Sequence, residues 1–220
     1  MNVTLRKCFT TAAFAITTMA ASAAMATPFV ITDTVITPGA GYGQDASENN
    51  NPTLLGALFK VTNATQAFSL MNAGDYFEFT FGTVNFNEPN SNGGITANEM
   101  DKLGVTTTFT FSQPGVGAQM VTATGTAVLG AVNDPNNGAN QTDLTIDWAT
   151  LSPINFGIGG SFKIDLTDLV FTANGTKNAV ARVTLLTAEE APANDVPEPG
   201  SLALAGLGLV AAGIARRRQR

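Results

Sequence analysis

Apolar and polar residues alternate with a period of two through most of this chain, a pattern that admits sheets and little else. In Tyr76–Phe81, Phe77, Phe79 and Phe81 fall on one face and Tyr76, Glu78 and Thr80 on the other. Val105, Thr107, Phe109 and Phe111 alternate with Thr106, Thr108 and Thr110. Leu144, Ile146 and Trp148 alternate with Thr145 and Asp147, and Phe162, Ile164 and Leu166 with Ser161, Lys163 and Asp165. Successive side chains of a strand point to opposite faces, so each run reads as a strand with one face in a core. Runs at Phe29–Ile36, Leu54–Thr62, Ala67–Met71, Met120–Leu129, Leu169–Ala173 and Ala179–Thr187 bring the expectation to about ten strands. Turn formers such as Asp134-Pro135-Asn136-Asn137-Gly138 and Asn174-Gly175-Thr176 part them.

No segment before residue 196 sustains a 3.6-residue period, so helical crossovers between parallel strands are absent. The expected fold is all-β: an antiparallel β-sandwich, jelly-roll-like, with a closed barrel as the alternative. Twelve of the chain's fourteen phenylalanines fall between Phe29 and Phe171 and supply the filling, with Trp148. Phe77, Phe79, Phe81, Phe109, Phe111, Trp148, Phe162 and Ile164 are the expected core, each contributing roughly 1.5–3 kcal/mol when buried. Their place on the alternating apolar face favours a core over an aromatic platform for glycans.

Composition removes several chemistries. The chain has no histidine and one cysteine, Cys8, which lies in a segment expected to be removed. Histidine-based acid–base catalysis, a cysteine nucleophile, Cys/His zinc sites and an internal disulfide all go with them. No G-x-S-x-G elbow is present, and Gly157-Ile158-Gly159-Gly160 opens a strand rather than a phosphate-binding helix.

The two ends read as addresses. Arg6 and Lys7 precede an apolar stretch from Cys8 to about Ala23, then Ala24-Met25-Ala26. That is a secretory signal peptide over residues 1–26, with Ala24 and Ala26 at −3 and −1 of the cleavage site. A domain over 27–190 and a linker over 191–195 follow. The tail, 196–220, runs Val196-Pro197-Glu198-Pro199, then an uncharged stretch over 201–215, then Arg216, Arg217, Arg218 and Arg220. As a single hydrophobic helix those fifteen residues span about 22 Å, short of the roughly 30 Å hydrocarbon core. Its leucines fall all round the helix, which suits lipid, and the arginines would stay cytoplasmic as a membrane stop.

This tripartite tail resembles a PEP-CTERM protein-sorting domain. The resemblance covers Val196–Arg220 and implies an exosortase as partner, a membrane enzyme that cuts near Pro197-Glu198-Pro199 and passes the protein outward. It further implies export across the inner membrane of a Gram-negative bacterium, to the cell surface or extracellular matrix. Exopolysaccharide, biofilm or other matrix proteins are the implied surroundings. The tail would meet the membrane transiently as a transmembrane helix, or permanently as an anchor; its shortness favours processing.

Between Thr27 and Glu198 five basic residues face seventeen acidic ones, a net charge of −12. Such a surface repels nucleic acid. One loop carries possible metal chemistry. Glu88, Asn90, Asn92, Thr96 and Glu99 take positions 1, 3, 5, 9 and 12 of a calcium-loop pattern, with Gly93 at 6. Glu88 stands where the pattern wants Asp, and strands replace the flanking helices. An Asn/Gly turn explains the same residues. Asp134–Asp143 is a weaker acidic loop. Asp143, Asp147, Asp165 and Asp168 could supply the acids of a secreted glycoside hydrolase, which needs two carboxylates about 5–9.5 Å apart. The expectation is therefore a non-enzymatic surface or matrix protein without a required cofactor; the alternatives are a calcium- or carbohydrate-binding module and, last, the hydrolase.

Overall fold

The computed structural model describes residues 26–46, 50–132 and 141–190, with 204 and 206–209 of the tail. Eleven strands run in the order β1 (Thr27–Pro38), β2 (Ala57–Val61), β3 (Gln66–Leu70), β4 (Tyr76–Phe86), β5 (Gly104–Gln113), β6 (Gly117–Ala127), β7 (Leu144–Trp148), β8 (Ile154–Phe156), β9 (Gly160–Leu166), β10 (Leu169–Phe171) and β11 (Gly175–Thr187). They form two antiparallel sheets, ordered β10-β7-β6-β5-β1-β3 and β2-β4-β11-β9-β8. Among the described residues the sheets remain separate, with edges at β10, β3, β2 and β8, so the barrel alternative falls.

The two inner faces meet through aromatic rings. Phe29 on β1 and Phe111 on β5 reach Phe162 on β9, with centroids 5.2 and 5.3 Å apart. Phe109 on β5 stands edge-on to Phe81 on β4 at 5.2 Å, and Phe86 meets Phe171 at 5.5 Å. Edge-to-face pairs match the ring quadrupoles and contribute beyond their buried area. The expected core residues lie here, with one adjustment. Phe77 is half-buried, because it stacks on Phe68 of the edge strand β3 at the rim of the sandwich.

Alternation is not unbroken, and bulges explain where it shifts. On β1, Phe29 and Ile31 point inward, yet Thr34 is the next buried position. Pairing with β5 passes from Ile31↔Phe111 to Asp33↔Thr110, leaving Thr32 extra. One inserted residue turns every later side chain to the other face. On β4 the buried set changes from Phe79 and Phe81 to Gly82, Val84 and Phe86, where Ala179↔Gly82 gives way to Val180↔Thr80. A Cβ on Gly82 would sit 2.7 Å from the Lys60 carbonyl oxygen and 2.8 Å from Ile36 Cδ1. The bulge thus needs a residue without a side chain.

The β3–β4 turn is tied by Asp75, whose Oδ2 accepts from the Asn72 and Met71 amides at 2.8 and 3.1 Å. These bonds, Asn72 foremost, hold the Asp75 carboxyl below its ordinary value. A carboxylate with a lowered folded-state pKa adds stability above its unfolded value of 3.8, and that stability is lost as pH falls through the lowered one. Asp75→Asn is expected to flatten part of the acid limb of a stability–pH curve below about pH 4. Urea melts of both proteins at pH 3 and pH 6 check this; equal pH dependence would refute it.

Candidate functional site

The residues singled out for calcium gather at one end of the sandwich, where the β4–β5 connection packs on the segment after β6. Ile95 and Gly130 form an isolated antiparallel bridge, with N–H···O distances of 2.8 and 3.0 Å. A Cβ on Gly94 would collide with the Gly130 carbonyl, and Gly94 has φ +86°, so this close crossing requires glycine.

Glu88, Asn90 and Glu99 are each turned to a backbone partner. Glu88 is 2% exposed. Its Oε2 accepts from Gly56 N at 2.6 Å, while its backbone exchanges two 2.8 Å hydrogen bonds with the Asn174 carboxamide. Asn90 clips Val132: its Oδ1 accepts from Val132 N at 2.7 Å and its Nδ2 donates to the Val132 carbonyl. Glu99 is fully buried, and its Oε2 accepts from Thr96 N at 2.6 Å, closing the short 3-10 turn Ala97–Glu99. Glu99 Oε1 and Thr96 Oγ1 are buried without a hydrogen-bond partner. The Asn92 side chain and residues 133–140, with Asp134, lie outside the described residues. Among the described residues no three acidic side chains stand together as a metal-holding group.

Asn90→Ala strands the Val132 amide and carbonyl together. A loss of about 1–3 kcal/mol is expected, measured as a lower urea midpoint with unchanged slope. Asn90→Asp, which keeps only the acceptor, is expected to fall between.

The acids considered for hydrolysis are dispersed. Asp147 projects from β7 on the outside of one sheet. Asp165 projects from β9 on the outside of the other, 2.7 Å from Lys163 Nζ. Asp143 is buried at the start of β7, its N–H donating to the Phe171 carbonyl. Asp168 Oδ1 accepts from Trp148 N at 2.8 Å. Sequence spacing gave no hint of a groove lined by Gly43, Gln44, Gly56, Leu58, Asn85 and Asn87, next to the Gly56–Glu88 hydrogen bond; its carboxamides come from two separate segments.

The remaining candidate residues belong to the ends. Ala26 is exposed immediately before β1, whereas Ala24 lies outside the described residues. After β11 the described residues run to Glu190, whose N–H donates to Ile158 O at 3.0 Å, while Glu189 Oε1 accepts from the Ile158 amide. Val196, Pro197, Glu198, Pro199, Arg216, Arg217, Arg218 and Arg220 lie outside the described residues. Leu204 and 206–209 are helical and exposed. Among the described residues no helix is long and apolar enough to cross a membrane.

A family model described as the PEP-CTERM protein-sorting motif matches residues 195–219. The match spans the tail alone, and it implies an exported protein that is sorted by an exosortase. No curated protein and no solved structure matches the chain.

Proposed function

We propose that this chain, which carries a PEP-CTERM sorting motif at its C-terminus, is a non-catalytic structural protein of the cell surface or extracellular matrix. The motif is the observation that carries this reading. The domain ahead of it supports the reading in two ways. Its stability rests on an aromatic sandwich core that needs no disulfide, and among the described residues Asp147 and Asp165 stand on opposite sheets while Glu88, Glu99 and Asp168 are engaged with backbone amides. A net charge of −12 between Thr27 and Glu198 keeps such a domain soluble and discourages adhesion to anionic lipid.

Intact mass of the protein recovered from medium and from envelope tests the reading. The expected mass lacks residues 1–26 and the helix with its arginines. Replacing Pro197, Glu198 and Pro199 by alanine is expected to shift the protein to the membrane fraction with the tail retained. Secreted material still carrying Leu202–Arg220 would overturn the processing route.

A second reading, calcium binding by the 88–99 loop, draws on the unpartnered oxygens of Glu99 and Thr96. A site filled at 100 times its Kd adds about 2.7 kcal/mol. A midpoint unchanged between EDTA and millimolar Ca²⁺ would end that reading.

A further inference from the structure

The outer faces of the two sheets differ in a way that strand propensity does not explain. On the β4–β11–β9 face, Glu78, Arg182, Lys163 and Asp165 are charged; Arg182 lies between Glu78 and Asp165 in register and bonds Glu78 at 2.8 Å. The face of β5 and β6 bears no charge at all. Its outward positions are Thr106, Thr108 and Thr110 on β5, and Thr122, Thr124 and Thr126 on β6, continued by Ser112, Ala118 and Met120. Threonine suits any exposed strand position. But that preference acts equally on both sheets, and the charges of this outer face, Asp33 and Asp147, stand only on the strands to either side of the pair.

Register makes the six threonines one track. Thr106 pairs directly with Thr122, and the strands are antiparallel. Descending β5 through Thr110, Thr108 and Thr106, the line steps one strand sideways and continues in the same direction through Thr122, Thr124 and Thr126. At roughly 3.4 Å per residue it extends about 27 Å, with a sideways step of about 4.8 Å. The track lies on the two central strands of the six-stranded sheet. Val35 and Met120, both exposed, flank Thr108 in its cross-strand row. Thr37 extends the Thr106–Thr122 row, and Thr145 pairs with Thr126.

We propose that this track binds an extended, uncharged polysaccharide lying along the strands. Each threonine offers a hydroxyl that donates and accepts and a methyl that packs on the C–H faces of a sugar ring. A linear row of such groups fits a chain of alternating hydroxyl and C–H surfaces. Asp33 and Asp147 bound the track beside Thr110 and Thr124 and repel acidic polymers. The proposal rests on the extracellular placement argued above and adds a ligand to it.

Affinity electrophoresis of the purified full chain in gels containing hydroxyethylcellulose or glucomannan, with alginate as the anionic control, tests it. Retardation is expected with the two neutral polymers and none with alginate. Thr108→Val/Thr122→Val/Thr124→Val keeps shape and strand preference, and is expected to weaken binding at least tenfold with the melting midpoint maintained. The corresponding triple Ser variant keeps the hydroxyls and most of the binding. Thr184→Val, on the opposite sheet, leaves binding unchanged and serves as the control should the triple Val variant prove unstable. Absence of retardation by both neutral polymers, or equal retardation of the Val variant, overturns the proposal. So does a wild-type dimer that the Val substitutions disperse, because the face would then bind a second copy. None of these outcomes bears on export, which the mass measurement decides separately.

Discussion

Phe109→Ala is expected to cost about 3–5 kcal/mol, the range for removing a fully buried phenylalanine. The ring is 0% exposed and stands edge-on to Phe81 and Phe79, with centroids 5.2 and 6.1 Å away and interplanar angles of 80° and 82°. Both partners lie on the opposite sheet, so the substitution opens a void at the junction of the layers. Neither sheet can close it without moving strands held in register on both sides. Without a disulfide in the sandwich, a loss of this size is a large part of the 5–15 kcal/mol that a domain commonly has. Urea melts measure it. Phe77→Ala provides the internal comparison: that ring is half-buried at the rim, and its loss is expected to be clearly smaller. Equal losses at both positions would show that packing between the sheets does not dominate stability.

Gly125→Ala is the second large effect, expected at about 2–3 kcal/mol. Gly125 N and Tyr42 Oη both donate to the Leu103 carbonyl, at 2.9 and 2.8 Å. A Cβ on Gly125 would overlap that oxygen and the Tyr42 hydroxyl together. Here the 39–43 connection, the approach to β5 and the body of β6 are fastened at one point. Burial pushes the Tyr42 hydroxyl far above the ordinary tyrosine range, so it remains a donor. Tyr42→Phe alone is expected to cost about 1 kcal/mol. The double variant should lose less than the sum, because removing the hydroxyl relieves one of the two overlaps. Strict additivity in thermal or urea melts would mean that the two groups do not share this contact.

Most strands were legible because one face of each is buried and the other wet, which writes a period of two into the residues themselves. Tyr76–Phe81, Val105–Phe111, Leu144–Trp148 and Phe162–Leu166 read directly. Ile154–Phe156 did not, since three residues are too few to establish a period. The change of buried face on β4, from Phe79 and Phe81 to Gly82, Val84 and Phe86, was not legible either, because a bulge is set by the pairing with β11. Glu88, Asn90 and Glu99 were legible as oxygen donors at suggestive spacing, but spacing is silent on which partner each oxygen meets. Gly56, Val132 and Thr96 are those partners, and the first two are far from the loop in sequence.

By itself, the amino-acid sequence determined what depends on local pattern: an all-β body, its main strands, and a C-terminal stretch whose Pro-Glu-Pro, short apolar run and arginines are contiguous. Only the tertiary structure decided what depends on registration between distant segments. Two sheets rather than a barrel, the burial of Glu88 and Glu99, and the joining of Thr106 to Thr122 into one line all belong there. Hydrophobic periodicity tells a strand which face is inward; it does not say which strand lies alongside. That choice is made by bulges, glycine crossings and ring packing, whose energies arise between residues tens of positions apart.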